Sequence, residues 1–234
     1  MTRIGMILPS SNTVVEPECI RLAARLPDLG VHFARFPLTA ISVADPRAAY
    51  YDSGALLGAA SLLADARCDV ICWNGSAGGV VGFERDHQLC REITATTGIA
   101  ATTSSLALLE QFKRTCVRHF AMVTLNPPAM NLTIKANFAA AGYQCVAASG
   151  REDIPDNFAM AAVAPRDIMA MAEACVAASA ARPDALIIYG TNTRGATVAQ
   201  ALRKKLQLPV YDSVSWGMFG ALASLGRDIQ SLIE

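Results

Sequence analysis

Residues 69–79 read DVICWNGSAGG. An apolar run of strand length gives way at once to Asn74-Gly75-Ser76 and three more small residues. The run is rich in β-branched and aromatic side chains and is bounded by turn formers, the pattern of a buried strand. The small residues after it let something come close to the backbone, yet they carry no obvious catalytic side chain. Residues from there to about 96 have helical character. The unit is therefore strand, tight loop, helix.

The same unit recurs along the chain. RIGMILP (3–9) leads into a helix through EPECIRLAARL, and VHFARFP (31–37) into a helical stretch from about 46 to 66. GIAATTS (98–104) precedes the helix LALLEQFKR. The order then restarts: HFAMVTL (119–125), a helix to about 141, YQCVAAS (143–149), and a helix from about 165 to 181. ALIIYG (185–190), the helix ATVAQALRKKL, LPVYDS (208–213) and a closing helix complete it. Repeated βα order predicts an α/β fold with mostly parallel sheets and helices on both faces. DVICWNGSAGG, helix, TGIAATTSS matches ALIIYGTNTRG, helix, LQLPVYDSV in order and character, which suggests a duplication. The expected architecture is two pseudosymmetric domains, each a roughly four-stranded parallel sheet.

Composition narrows the function classes. The 234 residues carry 20 basic and 20 acidic side chains, so no basic stripe points to nucleic acid. No apolar run reaches the roughly 18 residues of a membrane span. MTRIGMILPSSN lacks a basic leader and a small-residue cleavage site, so it reads as a first buried strand, and a cytoplasmic protein is expected. The seven cysteines, at 19, 68, 72, 90, 116, 145 and 175, form no CxxC, and no His/Cys cluster has metal-ligand spacing. They read as free thiols, and no metal, nucleotide or flavin is implied.

In open α/β sheets ligands bind beyond the carboxyl ends of the strands. Three strand ends carry small polar residues: PSSNT (9–13), NGSAGG (74–79) and GTNTRG (190–195). Each offers free backbone N–H groups beside a helix start, which suits a carboxylate. Ser, Thr and Asn there serve equally as helix N-caps. Their equivalent placing in a duplicated fold favours a shared site.

GMILPSSNTVVEPE (5–18) closely resembles the opening of maleate cis-trans isomerases. The wider pattern resembles the aspartate/glutamate racemase superfamily, which includes arylmalonate decarboxylases. TTSSLALLEQF (102–112), DIPDN (153–157) and LPVYDS (208–213) extend the likeness over nearly the whole chain. The resemblance implies an active site in the cleft between the domains. It also implies that the closing helix returns to the first domain, giving 1–114 plus 215–234 and 115–214. Two cysteines would face each other across a bound acid, as bases in racemases, one as nucleophile in maleate isomerases, and only the second as proton donor in the decarboxylases. Relatives commonly form homo-oligomers.

This sequence departs from that pattern. The first cysteine position falls on Gly75 and the second on Gly190. The resemblance leaves Asn12 and Asn157 as carboxylate-binding residues with Ser11 beside them, Gly75, Ser76 and Ala77 as one oxyanion loop, and Thr191 and Asn192 as the other. Asn126 stands where relatives place a tyrosine. Glycine at both cysteine positions predicts an enlarged pocket. Glu16, Asp212, Tyr189 and His87 are the possible proton carriers. Cys72, three residues before Gly75, is expected to point away from the cleft or to lie deeper. The reading is a cysteine-independent enzyme acting on a small carboxylic acid or cyclic carbonyl compound through oxyanion or enolate stabilisation. An enzyme using Cys72 as a displaced thiol, or a non-catalytic binder of small acids, are the alternatives.

Overall fold

The computed structural model describes residues 1–38, 53–229 and 232. Strands β1 (Thr2–Pro9), β2 (Leu29–Phe36), β3 (Val70–Trp73) and β4 (Ala101–Thr103) form one sheet in the order β2-β1-β3-β4. Strands β5 (His119–Val123), β6 (Gln144–Ser149), β7 (Ala185–Ile188) and β8 (Val210–Asp212) form a second in the order β6-β5-β7-β8. Every pairing is parallel. The second order is the first advanced by four strands, so the duplication read from the sequence is a duplication of topology.

Both sheets are covered on both faces, which explains their apolar strands. All four residues of β3 and all four of β7 are buried. Register brings the strand ends level: Ile7 pairs with Trp73 and Trp73 with Thr103, as Val123 pairs with Ile188 and Ile188 with Asp212. Equivalent residues cap the helices that follow. Thr103 Oγ1 accepts from the Leu106 N–H at 3.1 Å, and Asp212 Oδ1 accepts from the Ser215 N–H at 2.9 Å.

The helices are α1 (Val15–Ala23), α2 (Ser53–Asp65), α3 (Gly78–Val81), α4 (Phe83–Thr97) and α5 (Ser104–Arg114) in the first half. Then come α6 (Pro128–Ala140), α7 (Asn157–Ala162), α8 (Pro165–Ala177), α9 (Gly195–Leu206) and α10 (Ser213–Ser224). The expected helical residues 46–52 lie outside the described residues. The single helix expected up to residue 96 is broken in two, because Gly82 adopts φ 101°, a conformation open to glycine. The DIPDN segment leads directly into a helix the sequence reading did not contain, α7, whose start Asp156 caps by accepting from the Ala159 N–H at 2.8 Å. No described helix is long and apolar enough to cross a membrane.

Helix α10 is buried nearly all round and packs against the first sheet. Its approach needs glycine: a Cβ on Gly217 would sit 2.5 Å from Asn74 Nδ2, and one on Gly220 would sit 2.3 Å from Ala107 Cβ. Between the halves, Phe112 of α5 meets Phe120 of β5 with ring centres 5.3 Å apart, and Phe83 of α4 meets Phe138 of α6 at 5.0 Å. Such pairs contribute about 0.5–1.5 kcal/mol each beyond their buried area, and they hold the two sets of strand ends facing each other.

Candidate active site

A small cavity, about 40 Å³, lies between the two sets of strand ends. It has room for three or four water-sized spheres, roughly the space of a compact acid. Asn12, Gly75 and Ser76 line it from the first half, and Asn126, Asn157, Gly190, Thr191 and Asn192 from the second. With Tyr189, nine of the residues singled out in the sequence are thus brought together. Ser11 and Ala77 stand behind the wall. The Ser11 hydroxyl donates to the Leu38 carbonyl at 2.6 Å and accepts from Asn157 Nδ2 at 2.9 Å, while Ala77 is fully buried as the residue preceding α3.

The cavity is rich in uncommitted donors. The backbone N–H groups of Gly75, Ser76, Thr191 and Asn192 have no protein acceptor among the described residues. Gly75, Thr191 and Asn192 are buried, and Ser76 is half-buried. Buried N–H groups are nearly always paired, so four unpaired ones around one cavity are suited to an anionic or carbonyl oxygen. The Asn126 side chain, half-buried at the rim, likewise makes no hydrogen bond among the described residues. Since α3 is a single turn, these amides themselves, and not a long helix dipole, are what the first loop offers.

The loops are held by bonds across the halves. Asn12 Oδ1 accepts from the N–H groups of Val14 and Val15 at 3.0 and 2.9 Å, and Asn12 Nδ2 donates to the Thr191 carbonyl at 3.1 Å. The same Nδ2 also reaches the Thr191 hydroxyl at 3.5 Å, a long and weak bond that a ligand oxygen could replace. Asn192 Oδ1 accepts from the Thr13 N–H at 3.0 Å, and Asn192 Nδ2 donates to the Asn157 carbonyl. Arg35, which the sequence reading missed, binds the Asn12 and Ser10 carbonyls at 2.8 and 3.0 Å.

Tyr189 reaches across from the second sheet. Its hydroxyl accepts from the Gly79 N–H at 2.9 Å, donates to the Ser76 carbonyl at 2.8 Å, and lies 3.1 Å from Ser105 Oγ. A Cβ on Gly79 would sit 2.4 Å from that hydroxyl, so the second glycine of the AGG run is what admits it. Asn137 Nδ2 holds the same loop through the Gly79 and Val80 carbonyls at 2.9 and 3.1 Å.

The expected enlargement at Gly75 is corrected by Trp73. A Cβ on Gly75 would lie 2.2 Å from both Cε2 and Cζ2 of the Trp73 indole, so the ring already fills that space. At Gly190 the backbone itself selects glycine, with φ 134°.

Three proposed proton carriers fall outside the cavity lining. Glu16 is paired with Arg35 at 2.9 Å on the surface. Asp212 is buried at the start of α10 as its cap, and burial raises its carboxyl, opposed by the Ser215 N–H and hydroxyl. His87 borders a separate surface groove with Glu110 and Arg114. Of the four, Tyr189 alone lines the cleft. No cysteine lines it among the described residues. Cys72 is fully buried on the strand face opposite Trp73, and burial pushes its thiol well above the usual range. Burial likewise pushes Cys19 and Cys90 up to about 12.

Pro9, Leu38, Trp73, Val80 and Met160 supply an apolar wall that the sequence reading did not name. The signal for Trp73 was present. Side chains two apart on a strand share a face, so Trp73 lies under the position of residue 75.

A model of the arylmalonate decarboxylase family matches residues 4–233. No curated protein sequence matches the chain. Among solved structures, the Nocardia farcinica maleate cis-trans isomerase carrying a covalent succinylcysteine intermediate superposes with TM-score 0.86 at 21% identity, covering 97% of this chain and 94% of that one. A maleate isomerase variant from Pseudomonas putida with maleate gives TM-score 0.84 at 19% identity, covering 97% and 92%. An arylmalonate decarboxylase gives TM-score 0.77 at 20% identity, covering 94% and 91%. At these identities the likeness establishes the shared fold.

Proposed function

The chain belongs to the arylmalonate decarboxylase family, a family of enzymes, and from that premise we propose that it acts on a small carboxylic acid or compact cyclic carbonyl compound without a cleft cysteine. The observation that carries the reading is the set of four unpaired N–H groups from the Gly75–Ser76 and Thr191–Asn192 loops around one cavity. Donors so placed stabilise negative charge that develops on a substrate oxygen as a neighbouring bond to carbon breaks. Loss of one such donor costs about 10²–10³ in rate in comparable sites. The reaction is of the kind that passes through an enolate or oxyanion: decarboxylation, addition or elimination of water, or ring opening.

In this proposal the carboxylate sits against Asn12 and Asn126, with Asn157 and Ser11 bracing the loop. Ser76 and Thr191 add hydroxyl donors to their backbone ones. Tyr189 is the titratable side chain among the described lining residues, and its hydroxyl carries the proton, with Ser105 behind it. What supports cysteine independence is the position of the thiols: none borders the cavity, and that of Cys72 is held protonated by burial.

The experiment is turnover of substituted malonates, maleate, lactones and imides, followed by NMR and by CO2 release, before and after thiol alkylation. Product from at least one class, unchanged by alkylation, is expected. Binding without product would make the protein a binder of small acids, and loss of turnover on alkylation would return the chemistry to a thiol.

A further inference from the structure

We propose that Trp73 is the specificity-determining side chain of this cleft: its indole takes the space of a residue-75 side chain and presents its N–H as a neutral donor to an oxygen of the bound acid. The proposal rests on the small-acid reading of the cleft and extends it to the shape and polarity of the acid.

The first support is steric. The 2.2 Å separation from a Gly75 Cβ to Cε2 and Cζ2 of Trp73 is closer than real Cβ atoms come to other groups. The ring has little freedom to retreat. It is fully buried and lies edge-on to Phe36, with ring centres 5.1 Å apart and an interplanar angle of 66°. Glycine at position 75 and tryptophan at position 73 are therefore one feature: the indole excludes any side chain there, a thiol included.

The second support is polar. Trp73 Nε1, bonded to the same Cε2, is buried and has no hydrogen-bond partner among the described residues. An unpaired buried donor is disfavoured and uncommon in folded proteins, which marks this one out. Trp73 lines the cavity beside Gly75, Ser76 and Asn126. The indole N–H only donates, so it matches an acceptor oxygen and disfavours an ammonium group, which has no lone pair to offer. With Leu38, Val80 and Met160 around it, the favoured ligand is a small acid with an apolar or planar body and an acceptor oxygen turned toward the tryptophan.

Two measurements test this, one needing no ligand. In a stability cycle, Gly75→Ala alone is expected to lower Tm by several degrees, and in a Trp73→Leu background its added effect is expected to vanish. Additive losses would overturn the exchange of volume. For the donor, malonate is titrated calorimetrically into the unsubstituted protein and Trp73→Phe, which keeps an aromatic ring and loses the N–H. A Kd weaker by about 5–20-fold at nearly unchanged Tm is expected. The chain has two tryptophans, so in Trp216→Phe the emission of Trp73 alone should shift on saturation with malonate. A Kd within twofold in Trp73→Phe would overturn the donor role. Failure of the unsubstituted protein to bind malonate would overturn the small-acid reading and the donor role together, while the cycle still decides the exchange of volume.

Discussion

The side-chain amide of Asn12 donates to the carbonyl oxygen of Thr191 at 3.1 Å, joining residues 179 positions apart across the cleft. The same side chain caps α1 through Oδ1. A helix cap contributes about 0.5–2 kcal/mol and a buried hydrogen bond about 0.5–1.5 kcal/mol. Asn12→Ala should therefore lose about 2–3 kcal/mol in urea denaturation. Asn12→Asp keeps the capping oxygen, so it should lose less stability, yet its charge should weaken malonate binding more. Equal effects of the two substitutions on both measurements would contradict this double role.

Six of the seven cysteines are buried or half-buried, and only Cys116 is exposed. Iodoacetamide at neutral pH is expected to add one label, on Cys116, and to leave turnover unchanged. Mass spectrometry of the intact protein and its peptides checks this. Labelling at Cys72 that substrate prevents would reverse the assignment.

Asp212 is a buried carboxyl raised above its ordinary range by desolvation. A raised acid holds its proton more tightly when folded. Its contribution to stability is complete below the unfolded value of about 3.9, and it is lost as pH rises through the folded value. Asp212→Asn still caps α10 and stays uncharged. Its stability relative to the unsubstituted protein should therefore increase as pH rises from about 4 and then level off. Urea denaturation across that range reads the difference, and a pH-independent gap would mean that the carboxyl carries no burial penalty.

Tyr189→Phe removes a hydroxyl that serves the Gly79 N–H and the Ser76 carbonyl. Stability should fall by about 1–3 kcal/mol, because the buried Gly79 N–H and the half-buried Ser76 carbonyl both lose their bond. If the hydroxyl carries the proton, kcat should drop by about 10²-fold or more beyond any change in KM. A change confined to KM would make Tyr189 an anchor of the Ser76 loop.

Much of the molecule is legible in the linear chain. Alternation of apolar strands with helical stretches specifies two parallel sheets, because only that arrangement buries both faces of runs such as VICW and ALII. The strand-end loops could be picked out by their small residues, since a site beyond the carboxyl ends of strands needs exposed amides. Gly75 and Gly190 were visible as positions without a nucleophile. The break at Gly82 is not legible, because one glycine's φ overrides a continuous helical pattern, and α7 is not, because a helix of six residues rests on one aspartate cap rather than on a periodic pattern.

Tertiary structure alone decided what each polar residue does. Glu16 and Asp212 look alike in sequence as acids near strand or helix ends, but one pairs with Arg35 on the surface and the other is buried as a cap. Tyr189 meets Gly79 from 110 positions away, and Asn192 meets Thr13 from 179. Periodicity reports only which face of its own element a residue occupies. Which groups oppose it is set by the packing of one half of the chain on the other, and that packing makes the cleft.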